Sequence, residues 1–221
     1  MNTIKTYSLI IITILTNITV YAQQNFGMAL NVHQIEKCEE FYTRSCTTTK
    51  KISDVGTKIM QEQPCIKSKM HSDQSCHQAY LIRQFTNYPP TKIQQYPQNI
   101  SVFYITAIAD GQTVFYIVDS TGNLIELTDE LTLVKSDPAY IRLKRKYPNL
   151  SFTTFLFWSR QEKNQFPKLY SSKSSIQLVF KQELRDGPCV ACKNIAIAYI
   201  VYKFTSSGHF IGTKLLRIHV L

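Results

Sequence analysis

Glycine is scarce in this 221-residue chain, at seven residues, and none of them builds a phosphate-binding glycine loop. Neither a G-x-S-x-G nucleophile elbow nor an H-E-x-x-H metal helix occurs, so the linear signatures of those hydrolases and metalloproteases are missing. Carboxylates are short as well: 15 Asp and Glu stand against 25 Lys and Arg, a formal charge of +10 at neutral pH. Such a surplus favours acidic partners, an acidic protein or an anionic envelope surface, without fixing a fold. Beyond residue 21 no segment approaches the roughly 20 apolar residues of a spanning helix. These absences point away from an enzyme with a motif-encoded site, and no cofactor is implied.

What is present begins at the amino terminus. Lys5 is the only charge before an apolar run from Tyr7 to Tyr21, which is interrupted by Asn17 and closes on Val20-Tyr21-Ala22. A single charge, a short apolar core and small residues at the end describe a cleavable secretory signal peptide over residues 1–22, cut after Ala22. The run is too short for a retained anchor. Gln23 occupies the position where a lipoprotein would need cysteine. The expected product is exported, periplasmic or secreted, with no membrane span after cleavage. Nucleic acid, the usual partner of a basic protein, is rarely met there.

Composition shifts along the chain. Residues 23–86 hold four of the six cysteines and few long apolar runs, whereas residues 100–221 are rich in β-branched and aromatic residues. Between them, residues 87–99 carry Pro89, Pro90, Pro97 and a glutamine cluster, which read as a Pro/Gln-rich linker that resists regular structure. In the first region Ile35, Cys38, Tyr42 and Cys46 recur at steps of three and four, the spacing of one helix face. Ile52, Val55 and Ile59 repeat that spacing, as do Ala79, Ile82 and Phe85 after a cap at Ser72 or Asp73.

After residue 100 the period becomes two. Segments 101–109 and 113–118 flank Asp110-Gly111, a dipeptide suited to a tight hairpin. Ser120-Thr121-Gly122-Asn123 leads into 124–127, which predicts a three-stranded meander. Ser136-Asp137-Pro138 offers a cap followed by proline in the first turn, opening a helix that must end before Pro148. Segments 151–158, 175–184, 195–204 and 210–220 read as strands, and 195–201, apolar on both faces, belongs in the middle of a sheet. Ser206-Ser207-Gly208-His209 resembles the turn at Ser120, 86 residues earlier. Common hairpin-turn chemistry accounts for that match as readily as duplication does. The fold class expected is α+β: disulfide-linked short N-terminal helices, then an antiparallel β-sheet domain with one or two helices.

Cysteine carries the most information. In an oxidising compartment six cysteines allow three bridges in fifteen connectivities. Cys189 and Cys192, over a hundred residues from the rest and beside Asp186-Gly187-Pro188, pair most simply with each other. Nested pairing of the other four, Cys38 with Cys76 and Cys46 with Cys65, would clip two antiparallel helices together. The step from Cys65 to Cys76 approaches three helical turns, which places both on one face if a single helix spans them. Cys189-Val190-Ala191-Cys192 also has the spacing of a thiol-disulfide oxidoreductase. That chemistry uses a thiol at a helix amino terminus, and here a strand follows. A four-ligand zinc site would need a second such pair.

Other candidates are plainer. The run Arg142, Lys144, Arg145 and Lys146 forms a basic patch or simply a solvated helix face. His71 with Cys76 and His77, or His33 with Glu36, lack metal-motif spacing and read as surface polar residues. Asn99-Ile100-Ser101 and Asn149-Leu150-Ser151 are glycosylation acceptors only in a eukaryotic host. Three functional classes therefore stand: an exported, disulfide-stabilised, non-enzymatic binding protein, which these features favour; a thiol-active envelope protein using Cys189 and Cys192; and a hydrolase whose site is assembled from residues far apart in sequence. The first observable consequence concerns processing. Amino-terminal sequencing of protein recovered outside the cytoplasm is expected to start at Gln23, and a start at Met1 would refute the signal-peptide reading.

Overall fold

The computed structural model describes residues 25–46, 55–106, 113–127, 131–152, 166–189 and 192–221. The signal segment with its cleavage site, the Asp110-Gly111 turn and residues 153–165 lie outside the described residues.

Helix α1 (Val32–Cys46) starts where the Asn31 side chain accepts from the Gln34 backbone N–H at 3.1 Å. Its buried residues Ile35, Cys38 and Cys46 keep the expected spacing of three, four and multiples thereof. Helix α2 (Val55–Ser72) runs through Pro64 and stops at Ser72. Cys76 therefore stands beyond α2, in a single 3-10 turn (Gln74–Cys76), so the condition of one helix spanning Cys65 and Cys76 is not met, and the cap expected at Ser72 or Asp73 falls on Asp73. Asp73 breaks the helix because its carboxylate accepts the Ser75 backbone N–H at 2.9 Å and caps the next turn instead. Helix α3 (His77–Thr86) ends on Asn87 at φ 62°, a left-handed position that asparagine tolerates.

Four antiparallel strands follow in the order β1 (Lys92–Gln95), β2 (Ser101–Thr106), β3 (Thr113–Val118) and β4 (Leu124–Glu126). Strand β1 lies in the stretch expected to resist regular structure. The pairing of Lys92–Gln95 with Ser101–Tyr104 supplies its backbone partners, and Ile93 and Tyr96 are buried in spite of the flanking prolines and glutamines. Helices α4 (Leu131–Lys135) and α5 (Pro138–Lys146) come next, the latter capped by Asp137, which accepts from the Ala139 N–H at 2.7 Å. The second sheet has the order β5 (Leu150–Phe152), β7 (Ser175–Asp186), β8 (Asn194–Thr205), β9 (Phe210–Val220). Strand β6 (Lys168–Ser171) pairs with the first half of β7, on the edge whose second half takes β5. As expected from its apolar sequence, β8 sits between two neighbours.

The first sheet is the middle layer. Val102, Phe115 and Ile117 join Leu178, Phe180, Ala198, Ile200 and Tyr202 of the second sheet in one core, to which α4 and α5 add Val134, Tyr140 and Leu143. Phe103, Ile105, Tyr116 and Val118, alternating with them, join Ile35, Cys38, Met70, Cys76 and Ile82 of the helices in a second core. Phe103 stacks on Tyr116 at 5.1 Å, and Phe85 of α3 meets the same tyrosine edge-on at 5.7 Å. The Arg83 guanidinium, almost fully buried, closes the helical layer: it donates to both Glu39 carboxylate oxygens and, at 2.7 Å, to Gln63. Burial raises the Glu39 pKa in spite of this partner.

Asp119, at the end of β3, is 1% exposed and ties two turns together. It accepts from the Thr121 backbone and hydroxyl at 2.8 and 2.7 Å, from the Asn123 backbone and side chain at 3.1 Å, and from the Phe210 N–H at 3.2 Å. The last bond reaches the β8–β9 turn, whose Gly208 carbonyl in return accepts from the Ser120 N–H at 3.1 Å. The two similar turns thus meet. Gly208 has φ +88°, and a Cβ there would lie 2.5 Å from the Gln98 carbonyl oxygen, so the meeting requires glycine. Burial works to raise the Asp119 pKa, yet the bonds from Thr121, Phe210 and Asn123 together hold it below the ordinary carboxylate value. A lowered folded pKa means stability that is present at neutral pH and lost as pH falls through that value. Asp119→Ala is expected to cost about 3 kcal/mol in urea unfolding at neutral pH, because several buried donors lose their acceptor. The wild type should lose stability on acidification below about pH 4 more steeply than the variant; equal stability of the two at neutral pH would contradict this role for Asp119.

Candidate functional site

All six cysteines are bonded, as Cys38–Cys76, Cys46–Cys65 and Cys189–Cys192, with S–S distances of 1.94, 2.19 and 2.02 Å. The first joins the 3-10 turn before α3 to the buried face of α1, and the second joins the end of α1 to the interior of α2, so α1 is tied to both neighbouring elements. The third closes the turn between β7 and β8. Its local geometry is a hairpin end: the Cys192 N–H donates to the Cys189 carbonyl at 3.1 Å, and the Asp186 N–H donates to the Lys193 carbonyl at 3.0 Å. Gly187, at φ +118°, lies against it, since a Cβ there would come 2.8 Å from the Cys192 Sγ. Strand β8 follows directly, so no helix dipole acts on either sulfur.

The remaining sequence candidates are scattered. Arg142, Lys144, Arg145 and Lys146 are exposed on α5, opposite its buried Tyr140 and Leu143. Lys144 donates to the Leu150 carbonyl at 2.8 Å and Lys146 lies 5.3 Å from the Tyr147 ring, so half of the run fastens α5 to its surroundings. Cys76 is in a disulfide and His71 packs edge-on against Tyr80 at 4.9 Å. His33 and Glu36 are exposed on α1. Among the described residues no group of three His, Cys, Asp or Glu is arranged to hold a metal ion.

A different surface stands out. The second sheet covers the first with one face only, and its other face turns outward. Residues directly opposite each other in an antiparallel ladder share a face, so the register sets out the surface in rows. One row runs Lys168, Val179, Val201, Lys214 across β6, β7, β8 and β9. Beside it stand Lys181, Tyr199 and Arg217, and on the other side Tyr170, Gln177, Lys203 and Gly212. With strands spaced about 4.8 Å, the two lysines that end the first row sit on strands roughly 14 Å apart. Val179 and Val201 form the floor of a concavity of about 400 Å³ bounded by Tyr170, Tyr199, Leu216 and Arg217. Among the described residues no carboxylate lines it.

Local sequence explains how these side chains arrive. Gln177, Val179 and Lys181 point outward because Ile176, Leu178 and Phe180, their alternating neighbours, enter the core. Leu216 has no partner on β8, because the register shifts between Tyr199, opposite Arg217, and Ile200, opposite Leu215. That bulge leaves Leu216 52% exposed. The Arg217 guanidinium lies 4.8 Å from the Tyr199 ring centre and the Lys168 ammonium 5.1 Å from that of Tyr170. Among the described residues none of Lys168, Lys181, Lys203, Lys214 and Arg217 forms an ion pair; the one acid on this face, Glu183, is held by Arg185. Sequence reasoning passed over this surface, since the mixed apolar run of β8 masks a face that alternates Ile197, Tyr199, Val201 and Lys203.

Comparison with known proteins finds no family model that matches the chain, no curated protein similar to it and no solved structure that matches it. Geometry alone must therefore assign roles, and for Cys189–Cys192 it gives a measurable one. Replacing both cysteines by serine is expected to lower stability by less than about 3 kcal/mol, the contribution of a far longer closed loop of about 15 residues. Wild-type protein should show no insulin-reducing turnover; turnover that disappears in the double variant would establish redox chemistry at this pair.

Proposed function

We propose that this chain is an exported, disulfide-stabilised, non-enzymatic binding protein that engages its partner through the β-sheet domain of residues 100–221. The observation that carries the reading is the outward face of the second sheet, where Tyr170, Tyr199, Leu216 and Arg217, together with three serines and Gln177, line a concavity on the side away from the first sheet. Tyrosine and arginine, both present there, are the residue types that dominate binding energies at protein surfaces. Three disulfides in one chain support an oxidising compartment, in line with the signal-like segment at residues 1–22. No helix among the described residues is long and apolar enough to cross a membrane.

The competing classes find less support. A redox protein needs a thiol that is activated and accessible, and Cys189–Cys192 terminates a hairpin with a strand on each side. A glycosidase-type hydrolase needs paired carboxylates in a cleft, whereas among the described residues none lines the concavity on the second sheet. The test uses the full chain expressed in cells that export disulfide proteins. Protein outside the cytoplasm should yield no free thiol when titrated under denaturing conditions. A photo-crosslinking residue at Tyr170 should give a defined adduct on cells of the native host, and the same residue at Glu36 of α1 should not. Two or more free thiols, or adducts of equal yield at both positions, would overturn the proposal.

A further inference from the structure

We infer that the outward face of the second sheet docks an extended, acidic protein segment that places one apolar side chain between flanking carboxylates. The inference rests on the binding-protein reading and names the chemistry of the partner. Its first support is charge. Lys168, Lys181, Lys203, Lys214 and Arg217 stand on one sheet face with no ion-pair partner among the described residues, and the single acid beside them, Glu183, is committed to Arg185. Five cations held this close repel one another, and an anionic occupant relieves that repulsion.

Its second support is shape and polarity. Tyr170 and Leu216, each about half exposed, rise on opposite sides of the concavity above the buried Val179 and Val201; Arg217 lines it, and Lys168 and Lys214 end the row that holds the two valines. An aliphatic or aromatic side chain fits between Tyr170 and Leu216, and carboxylates on either side of it meet Lys168 at one end and Lys214 and Arg217 at the other. A sulfated polysaccharide satisfies the cations but brings no apolar side chain to the floor. A flat anionic membrane meets the rims without entering the concavity.

A second copy of this chain is disfavoured on the same grounds. Strand β9 carries Lys214 and Arg217 and has no acid between Phe210 and Val220, so edge-to-edge pairing of two copies juxtaposes like charges. Its two register shifts, beside Tyr199 and beside Lys203, interrupt the ladder that such pairing would extend.

The experiment uses mature, oxidised protein and a fluorescein-labelled random copolymer of glutamate and leucine, read by polarisation. Homopolymeric glutamate, heparin and phosphatidylglycerol vesicles serve as competitors. The copolymer should bind, with affinity falling as salt rises. Lys214→Glu with Arg217→Glu should weaken it at least about tenfold. Arg142→Glu with Arg145→Glu on α5, the same change in net charge, should weaken it less than about twofold. Leu216→Asn, which keeps every charge, should weaken the copolymer and leave homopolymeric glutamate unaffected. Equal losses from the β9 and α5 pairs would reduce the effect to net charge and overturn the site. Heparin or vesicles displacing the copolymer as well as unlabelled copolymer does would overturn the acidic-protein assignment. Circular dichroism of each variant distinguishes lost binding from lost folding, and α5 and Leu216 variants that fold keep the test decisive should the β9 pair fail to. Protein that is exported and fully oxidised but ignores the copolymer would sink this inference alone, whereas free thiols would sink the reading beneath it.

Discussion

The hairpin β2–β3 is buried on both faces, and the other layers are arranged by that constraint. Val102, Phe115 and Ile117 need one apolar covering while Phe103, Ile105, Tyr116 and Val118 need another. Fully burying one large apolar side chain contributes about 1.5–3 kcal/mol, so leaving either face wet would forfeit several such terms, comparable with a domain's whole net stability. The second sheet answers the first demand and α1–α3 the second. The far side of the helices turns Glu36, Lys37 and Glu40 outward, whereas the far side of the second sheet mixes lysines with the apolar patch of Tyr170, Tyr199 and Leu216.

The helical layer meets its demand with Ile35, Ile66, Met70, Ala79 and Ile82, and the disulfides add to that burial. Cys38–Cys76 closes a separation of 38 residues and Cys46–Cys65 one of 19, both longer than the loop of about 15 residues for which chain entropy assigns about 3 kcal/mol. Cys189–Cys192 closes a separation of three and contributes far less by that route. The desolvation of the buried Arg83–Glu39 pair opposes its attraction, so ion pairing adds less to this layer than apolar burial and the two long bridges do.

Much of this was legible in the residues, for identifiable reasons. Period-two alternation revealed β2, β3, β7 and β9 because one or both of their faces meet an apolar layer, and Asp137-Pro138 announced α5 because a capping carboxylate and a fixed φ act locally. The α+β class followed from the switch of period near residue 100. Strand β1 was not legible: Gln94 and Gln95 have no propensity that announces it, and its existence depends on pairing with β2 and on Tyr96, which donates to the Pro167 carbonyl at 2.9 Å. Pro64, a residue type that ordinarily ends or kinks a helix, lies inside α2 next to the bridged Cys65, where tertiary and covalent contacts outweigh a local breaker. The outward face of the second sheet was hidden for another reason. Its cations come from four strands, separated in sequence by up to 49 residues from Lys168 to Arg217, and only the register assembles them.

The matching turns show how far a local likeness can be trusted. Residues 119–123 and 205–209 share a side-chain oxygen at the first position that accepts from the N–H four residues on, from Asp119 to Asn123 and from Thr205 to His209, and each places glycine at positive φ. That correspondence is the geometry of one turn type used twice, which needs no duplication. What differs is the consequence of the first residue. Thr205 serves its own turn, while Asp119, with a second oxygen to spare, reaches across to the Phe210 N–H and binds the end of the first sheet to the end of the second. A carboxylate can bridge where a hydroxyl cannot, because its two oxygens accept on two sides. The bridge fixes the start of β9, the strand on which Lys214 and Arg217 stand, after one and two register shifts respectively, on the outward face.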